Sequence, residues 1–430
     1  MFDGLKIYEN VCVVIDGKFI KEIRYIGDED FIDTNYAKKN IITCNFLMPG
    51  LIDAHVHITG YSERFLGVNP YLPIENFLNL LVSRGITSVR DTGNSVEAIQ
   101  YARKWCERNF NIKISFSGPI LDCWPITWQF SRLIDTEEEA KENIKSLKSE
   151  GVDFIKVYKN IDERLLRNIV KISNEENLYV AIDNPNITTE KQLKAGVKTI
   201  EHISNVLNVD NSCSANLYQK LENVTDKQLE VIIELFKKNK AYLCPTILTV
   251  SRLLDPDRMI KEPNLKFMST VMPYHKYLEQ MKSKVGYLFG KKYMQESLKL
   301  DLNSVSKGRV KEAINKLNCI LKKMSDSGVK LLMGTDTPNP SIVPGFSLHD
   351  EMVYWEEIGI DRVDILKTVT FFNSNLISDN IGKIQVGMKA DLLLLNQNPL
   401  DSMENIKDIK CVIVEGKFVD QVNLKDLDDD

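Results

Sequence analysis

The sequence predicts an α/β protein: a closed parallel (β/α)8 TIM barrel with a small composite β-sandwich formed by both chain ends. Three observations predict it. Through the middle of the chain, short apolar runs of strand-like composition alternate with helical stretches, as a parallel barrel demands. The runs fall at 51–57, 87–92, 112–117, 153–158, 178–183, 198–203, 241–247 and 329–335, and eight is the number that closes a barrel. Both ends break this rhythm with short strand patterns and turn signals. The 430 residues leave room for a barrel of about 250 residues plus insertions and an accessory domain.

Taken in order, residues 1–47 form the first half of the sandwich. They contain VCVVIDGKFIKEI, two alternating runs around Asp16-Gly17, a dipeptide that favours a tight hairpin turn. The barrel is expected over 48–381. Among its helices, Glu137 to Glu150 follows a cap signal at Asp135-Thr136 and stops at Gly151, and Asp162 to Asn177 is a second amphipathic stretch. From about 248 to 325 the chain is long, Lys-rich and largely helical, too long for an ordinary loop between the seventh and eighth strands. It would emerge where such barrels carry their chemistry. We therefore read it as a lid over the substrate pocket, a plain surface insertion being the alternative. Residues 382–430 supply the second half of the sandwich, with Gly387 and Glu415-Gly416 as turns and a solvated acidic tail from Asp426 to Asp430.

Composition narrows the class. Lys plus Arg count 55 against 60 for Asp plus Glu, a formal charge of −5, and no basic block points to nucleic acid or a membrane surface. The eight cysteines are scattered without a CxxC pair, so they read as reduced core residues of a cytoplasmic protein and imply no zinc ribbon. The N-terminus shows no basic leader and no long apolar stretch, which argues against secretion. These features suit an enzyme acting on a small molecule; a homo-oligomer stays open.

The most informative segment is Gly50-Leu51-Ile52-Asp53-Ala54-His55-Val56-His57, because a chain with only five histidines places two of them two apart behind an apolar run. On a strand, side chains at i and i+2 share a side, so His55 and His57 can turn two imidazoles into one cavity, as a divalent metal requires. Alone, such a pair is more often two ordinary histidines. Its company changes that reading. Met48-Pro49-Gly50 leads into IDAHVH, followed in order by Lys156 in GVDFIKVY, His202 in TIEHIS, Asp336 in LLMGTDTP, then GFSLHDEM and GMKADLLLLNQNPL. In these motifs, from about residue 1 to 419, the chain resembles the amidohydrolase superfamily, most nearly its imidazolonepropionase-like and prolidase-like branch.

The resemblance implies a barrel inserted between the halves of a composite β domain, and a metal site at the strand ends. His55, His57, Lys156, His202 and Asp336 would be its ligands, with one or two divalent ions, zinc being favoured. As an ammonium ion Lys156 offers no lone pair; for a binuclear site the resemblance implies that it is present as the carbamate, formed with carbon dioxide, whose two oxygens bridge the metals. Asp336 would also move protons between water and leaving amine, and His202 would act beside it as a catalytic residue. Arg90 in SVRDTG, Tyr158 and His349 are candidates for contact with substrate or for ordering the ligands.

One landmark differs. Branch members carry a histidine in a fifth-strand segment resembling VAGHVPN, and this chain reads Val180-Ala181-Ile182-Asp183-Asn184-Pro185-Asn186. Asp183 replaces that histidine as a ligand, the reading we take; otherwise the site holds one metal instead of two, hydrolysis has been lost while the fold is kept, or Asp183-Asn184-Pro185 forms only a turn. The predicted function is a metal-dependent amidohydrolase cleaving a C–N bond of a small molecule such as a dipeptide, an N-acyl amino acid or a cyclic amide. The alternatives are a mononuclear deaminase, lyase or cyclase, and a non-catalytic binder on the same scaffold.

Overall fold

The structure is a computed structural model, described here for residues 1–25, 41–58, 74–126, 128, 130–209, 217–255, 262–267, 306–339 and 341–419. It opens with the expected hairpin. Strands β1 (Val11–Asp16) and β2 (Phe19–Tyr25) pair antiparallel around Gly17, whose φ of +58° the turn requires. β3 (Phe46–Pro49) then leads directly into the barrel.

The barrel strands lie where the apolar runs predict them. They are β4 (Leu51–Val56), β5 (Ile86–Asp91), β6 (Lys113–Phe116), β9 (Phe154–Val157), β10 (Tyr179–Ile182), β11 (Thr199–Glu201), β12 (Tyr242–Cys244) and β13 (Lys330–Leu331). Two short strands that the sequence does not announce, β7 (Leu121–Asp122) and β8 (Arg132–Leu133), pair beside β9. Two residues are too few to show alternation. The ladders form a parallel β4-β5-β6 sheet and a second sheet ordered β13-β12-β11-β10-β9-β7-β8. Backbone bonds cross both seams. Asp153 N donates to Phe116 O at 2.9 Å on one side; on the other, Ala54 N donates to Met333 O at 2.9 Å and Asp336 N to His55 O at 2.7 Å. The seam at β4 and β13 thus holds His55 against Asp336.

Outer helices bury one face each against these strands. Glu137–Ser149 starts with a reciprocal capping box between Thr136 and Glu139, and Glu163–Glu175 is capped by Asp162, both satisfying backbone N–H groups that the first turn leaves open. Helix Lys307–Asp326 buries Ala313, Ile314, Leu317, Ile320, Leu321 and Met324 on its way to β13. The C-terminal part of the predicted 248–325 insertion is therefore barrel wall, because its apolar stripe faces the core. Of the rest, helix Ile247–Leu254 and a turn at Leu265–Phe267 are seen, while 268–305 and the acidic tail lie outside the described residues.

The chain ends meet in a sheet ordered β16-β15-β14-β3, with β14 (Leu392–Leu395), β15 (Ile409–Val414) and β16 (Lys417–Phe418). Leu392 pairs with Pro49, so a strand from either end of the sequence shares one ladder. The β1-β2 hairpin joins through Ile20 N to Met388 O and Ala390 N to Lys18 O, both 2.9 Å, over a core of Ile20, Ile384, Leu392, Leu394 and Ile413. No helix among the described residues is long and apolar enough to cross a membrane.

Candidate metal centre

The end of β4 brings His55 and His57 to one carboxylate. His57 Nε2 lies 3.2 Å and His55 Nε2 3.4 Å from Asp336 Oδ1, and all three residues are buried. The approach depends on a glycine two residues before Asp336. A Cβ on Gly334 would stand 2.6 Å from His55 Cβ and 2.8 Å from Cys244 Sγ, so only glycine lets the eighth strand lie this close. Asp53 clasps the same seam, accepting from Thr335 N at 3.0 Å and from Thr335 Oγ1 at 2.7 Å, and burial lifts its carboxyl to about 7.

The other ring nitrogens decide what the cluster can hold. His57 Nδ1 donates to Gly93 O at 3.0 Å, and His55 Nδ1 lies 2.8 Å from Glu201 Oε2. Burial would raise Glu201, but Arg90, Lys156 and His55 reverse that and hold it well below the carboxylate range. It therefore accepts from His55. Burial in turn lowers His55, favouring the neutral ring. A neutral ring with its proton on Nδ1 presents a lone pair at Nε2, and the two Nε2 atoms face the Asp336 carboxylate across 3.2–3.4 Å, with Thr92 Oγ1 3.4 Å from that of His57. Acceptors converge in that way on a cation, and His55, His57 and Asp336 place their donor atoms within 4.8 Å of one another. The residues fit a divalent metal. A second group, His55, Glu201 and Cys244, meets the same spacing, but there the short Glu201 contact to His55 is a hydrogen bond rather than a coordination gap.

A second set lies beside the first. His202 Nε2 is 3.5 Å from Asp183 Oδ2, its Nδ1 is 3.9 Å from Asp336 Oδ2, and Thr246 Oγ1 lies 2.7 Å from the same Nδ1. Asp183 faces this cluster rather than serving only a turn. Burial would raise it, yet His202, Lys156 and an Asn205 amide at 2.7 Å bring its carboxyl down to about 2. Lys156 is buried among the charges of Glu201, Asp183, Arg90 and Asp336, and burial pushes its ammonium down, toward the neutral amine. Backbone strain gathers here too. His202, Thr246 and Asp336 have φ of +65°, +42° and +63°, each costing on the order of 1–3 kcal/mol outside glycine.

The three candidates for substrate contact or for ordering the ligands occupy different settings. Arg90 is fully buried inside the barrel, its Nε on Ala54 O at 2.6 Å and its Nη2 on Glu201 Oε1 at 2.7 Å, so it orders Glu201 and offers nothing to a substrate. His349 belongs to helix Phe346–Glu357 and places Nε2 2.8 Å from Arg84 O; burial drops it to about 3, and it is not brought to the cluster. Tyr158 follows β9, with its carbonyl accepting from Asn184 and Lys159 Nζ over its ring at 5.7 Å. Sequence reasoning missed Asp53, Glu201 and Thr246. The sequence offers little signal for Glu201 beyond its place at the end of a candidate strand.

The sequence profile of the Amidohydrolase family matches residues 46–419, which take in the whole barrel and all four strands of the end sheet. The chain belongs to the amidohydrolase family. Membership makes it an enzyme, a hydrolase of carbon–nitrogen bonds. No curated protein sequence matches it. Among solved structures, an Xaa-Pro dipeptidase with bound methionine aligns at TM-score 0.65 and 17% identity, covering 97% of each chain. A prolidase complexed with N-methylphosphonate-L-proline aligns at TM-score 0.65 and 20% identity over 95% of this chain and 94% of that one. Ochratoxinase of A. niger gives 0.64 and 17%, over 97% and 93%. At these identities the likeness concerns the fold.

Proposed function

We propose that this amidohydrolase hydrolyses an amide or cyclic amide bond of a small molecule, such as a dipeptide or N-acyl amino acid, at a divalent metal centre. The observation that carries this reading is the convergence of the His55 and His57 lone pairs on Asp336, a set of acceptors that needs a cation. His55, His57 and Asp336 would hold one ion; His202, Asp183 and Lys156 would hold a second beside it. Zinc suits this mixture of imidazole and carboxylate. Bound there, the metal supplies Lewis acidity and an activated water at neutral pH. Lys156 joins as its carbamate: the neutral amine adds to carbon dioxide, a proton leaves, and the product is an anion. The depressed ammonium favours that step.

Asp336 is the proton carrier. It takes a proton from the attacking water and returns it to the leaving amine, and His202 beside it steadies the charge that develops. The dipeptide end of the substrate range is supported by the Xaa-Pro dipeptidase and the prolidase among the similar folds.

Elemental analysis of protein expressed in metal-supplemented medium, with turnover of a panel of dipeptides and N-acyl amino acids, tests the proposal. We expect one to two metal equivalents and hydrolysis of at least one panel member, abolished by chelation and restored by metal. Protein that takes up no metal would overturn it; one equivalent with no hydrolysis would move it to a mononuclear deaminase, lyase or cyclase.

A further inference from the structure

His55 is the hinge of the cluster, and its tautomer is set from behind. Glu201 is completely buried in β11 and receives three donors: Arg90 Nη2 on Oε1 at 2.7 Å, Thr199 Oγ1 on Oε1 at 2.6 Å, and His55 Nδ1 on Oε2 at 2.8 Å. Arg90 is itself pinned, with Nε on Ala54 O at 2.6 Å, Nη1 3.3 Å from Thr199 Oγ1, and its guanidinium 5.2 Å from the Phe154 ring centre. The guanidinium cannot leave, and it cannot lose its proton.

We infer that the Arg90–Glu201 pair is a positioning device that keeps the His55 proton on Nδ1 and so aims the Nε2 lone pair at the cluster with Asp336. The inference rests on reading that cluster as a metal centre. A carboxylate paired with arginine can only accept, so the ring nitrogen facing it must carry the proton. His57 obtains the same result from a neutral carbonyl, Gly93 O, without any charge. The difference matters for substitution, because the carbonyl has one possible orientation and a side-chain amide has two.

Glu201→Gln is therefore informative. The amide offers one acceptor oxygen where two donors compete, and the fixed guanidinium takes it. The NH2 then faces His55, which must accept at Nδ1 and carry its proton on Nε2, where it blocks the metal. Adding Arg90→Met removes the competitor. The amide oxygen can then turn to His55, while its NH2 finds Thr199 Oγ1, which accepts as well as donates.

The test reads the proton directly. With only five histidines in the chain, 15N–1H spectra of metal-free, 15N-histidine-labelled protein resolve each ring, and His55→Ala identifies the resonance. We expect His55 Nδ1 protonated in the wild type, Nε2 protonated in Glu201→Gln, and Nδ1 protonated again in Glu201→Gln/Arg90→Met. Zinc affinity should follow, falling about 10–100-fold in the single variant and largely returning in the double. Glu201→Gln that keeps Nδ1 protonated and binds zinc like the wild type would overturn the inference. So would a wild type protonated only at Nε2, or a double variant no better than the single. If the single variant fails to fold around its unpaired Arg90, the wild-type tautomer and the double variant still decide. Wild-type protein that binds no zinc at all overturns the metal reading instead and leaves the tautomer measurement standing.

Discussion

At the Glu415-Gly416 turn of the end sheet, one carboxylate meets two ammonium groups. Lys18 Nζ lies 2.7 Å from Oε2, Lys389 bonds Oε1, and Glu415 N donates to Asp391 Oδ1 at 2.7 Å. At the barrel mouth, carboxylates meet imidazoles whose lone pairs point the same way as the carboxylate's own. In both clusters the carboxylate is buried, and both include a residue held at positive φ: Glu415 at +47° in one, His202, Thr246 and Asp336 in the other. In the first the strain is that of a tight two-residue hairpin, with Gly416 at +74° following. Charge there is balanced by partners already in place. At the mouth the strained residues bring two imidazole nitrogens to the Asp336 carboxylate at 3.2–3.4 Å, an arrangement that a divalent cation would join. Opposite charges paired with each other mark structure, whereas a carboxylate gathered with imidazoles that could share a cation marks a site.

The largest effect should come from removing the two imidazoles that converge on Asp336. His55→Ala/His57→Ala should abolish both bound metal and turnover, while the circular dichroism spectrum and the cooperative melt persist. Unchanged metal by elemental analysis would disprove the site, because two of its nitrogen donors would be gone. The same double change at the end sheet has no counterpart, since its carboxylate would merely be left with water.

Lys156→Ala comes next. It removes the buried amine that the carbamate requires, so metal occupancy and activity should both fall, and short-chain carboxylic acids should restore part of each by supplying the missing oxygens. A variant with full occupancy would show that Lys156 is only a buried cation among carboxylates.

His55 and His57 could be read because strand periodicity puts i and i+2 on one side, and Asp336 because it closes an apolar run at the right place in the order of motifs. The strands were legible for the same reason: buried on both faces, they read as continuous apolar runs. Glu201 was hidden because a glutamate beside a histidine looks like any surface pair until the barrel closes around it. His349 was placed at the pocket by the likeness of its motif, which carries residue type and order but not direction. In the fold, its ring turns toward the Arg84 carbonyl. The β7-β8 pair escaped because two-residue strands show no alternation, and helix Lys307–Asp326 because it lies within one Lys-rich stretch that reads as helical throughout.

Asp183 gives an intermediate effect. Asp183→Asn should weaken metal binding by about one to two orders of magnitude, the scale of losing a charged ligand or its close partner, whereas Asp183→His should retain it and favour zinc. Equal affinity in all three proteins would confine Asp183 to its bonds with Asn205 and His202. The mouth would then be built on His55, His57 and Asp336 alone.

The smallest effect belongs to the end sheet and carries a definite sign with pH. Burial raises Glu415, but Lys18 and Lys389 more than reverse it, leaving its carboxyl at about 2. A folded value below the unfolded one means that the ion pairs stabilise the fold above the ordinary carboxylate range, near 4.5, and that this contribution is lost as pH falls through about 2. Glu415→Gln should lower stability at pH 7 by on the order of 1 kcal/mol, a figure kept small because Lys18 is largely exposed and solvent screens the pair. Its denaturation midpoint should approach that of the wild type as the solution is acidified. Metal content and turnover per folded molecule should not change. A Glu415→Gln protein that loses metal, or whose deficit persists undiminished at pH 2, would mean that the two clusters are coupled through the barrel rather than separately balanced, and the contrast between them would fail.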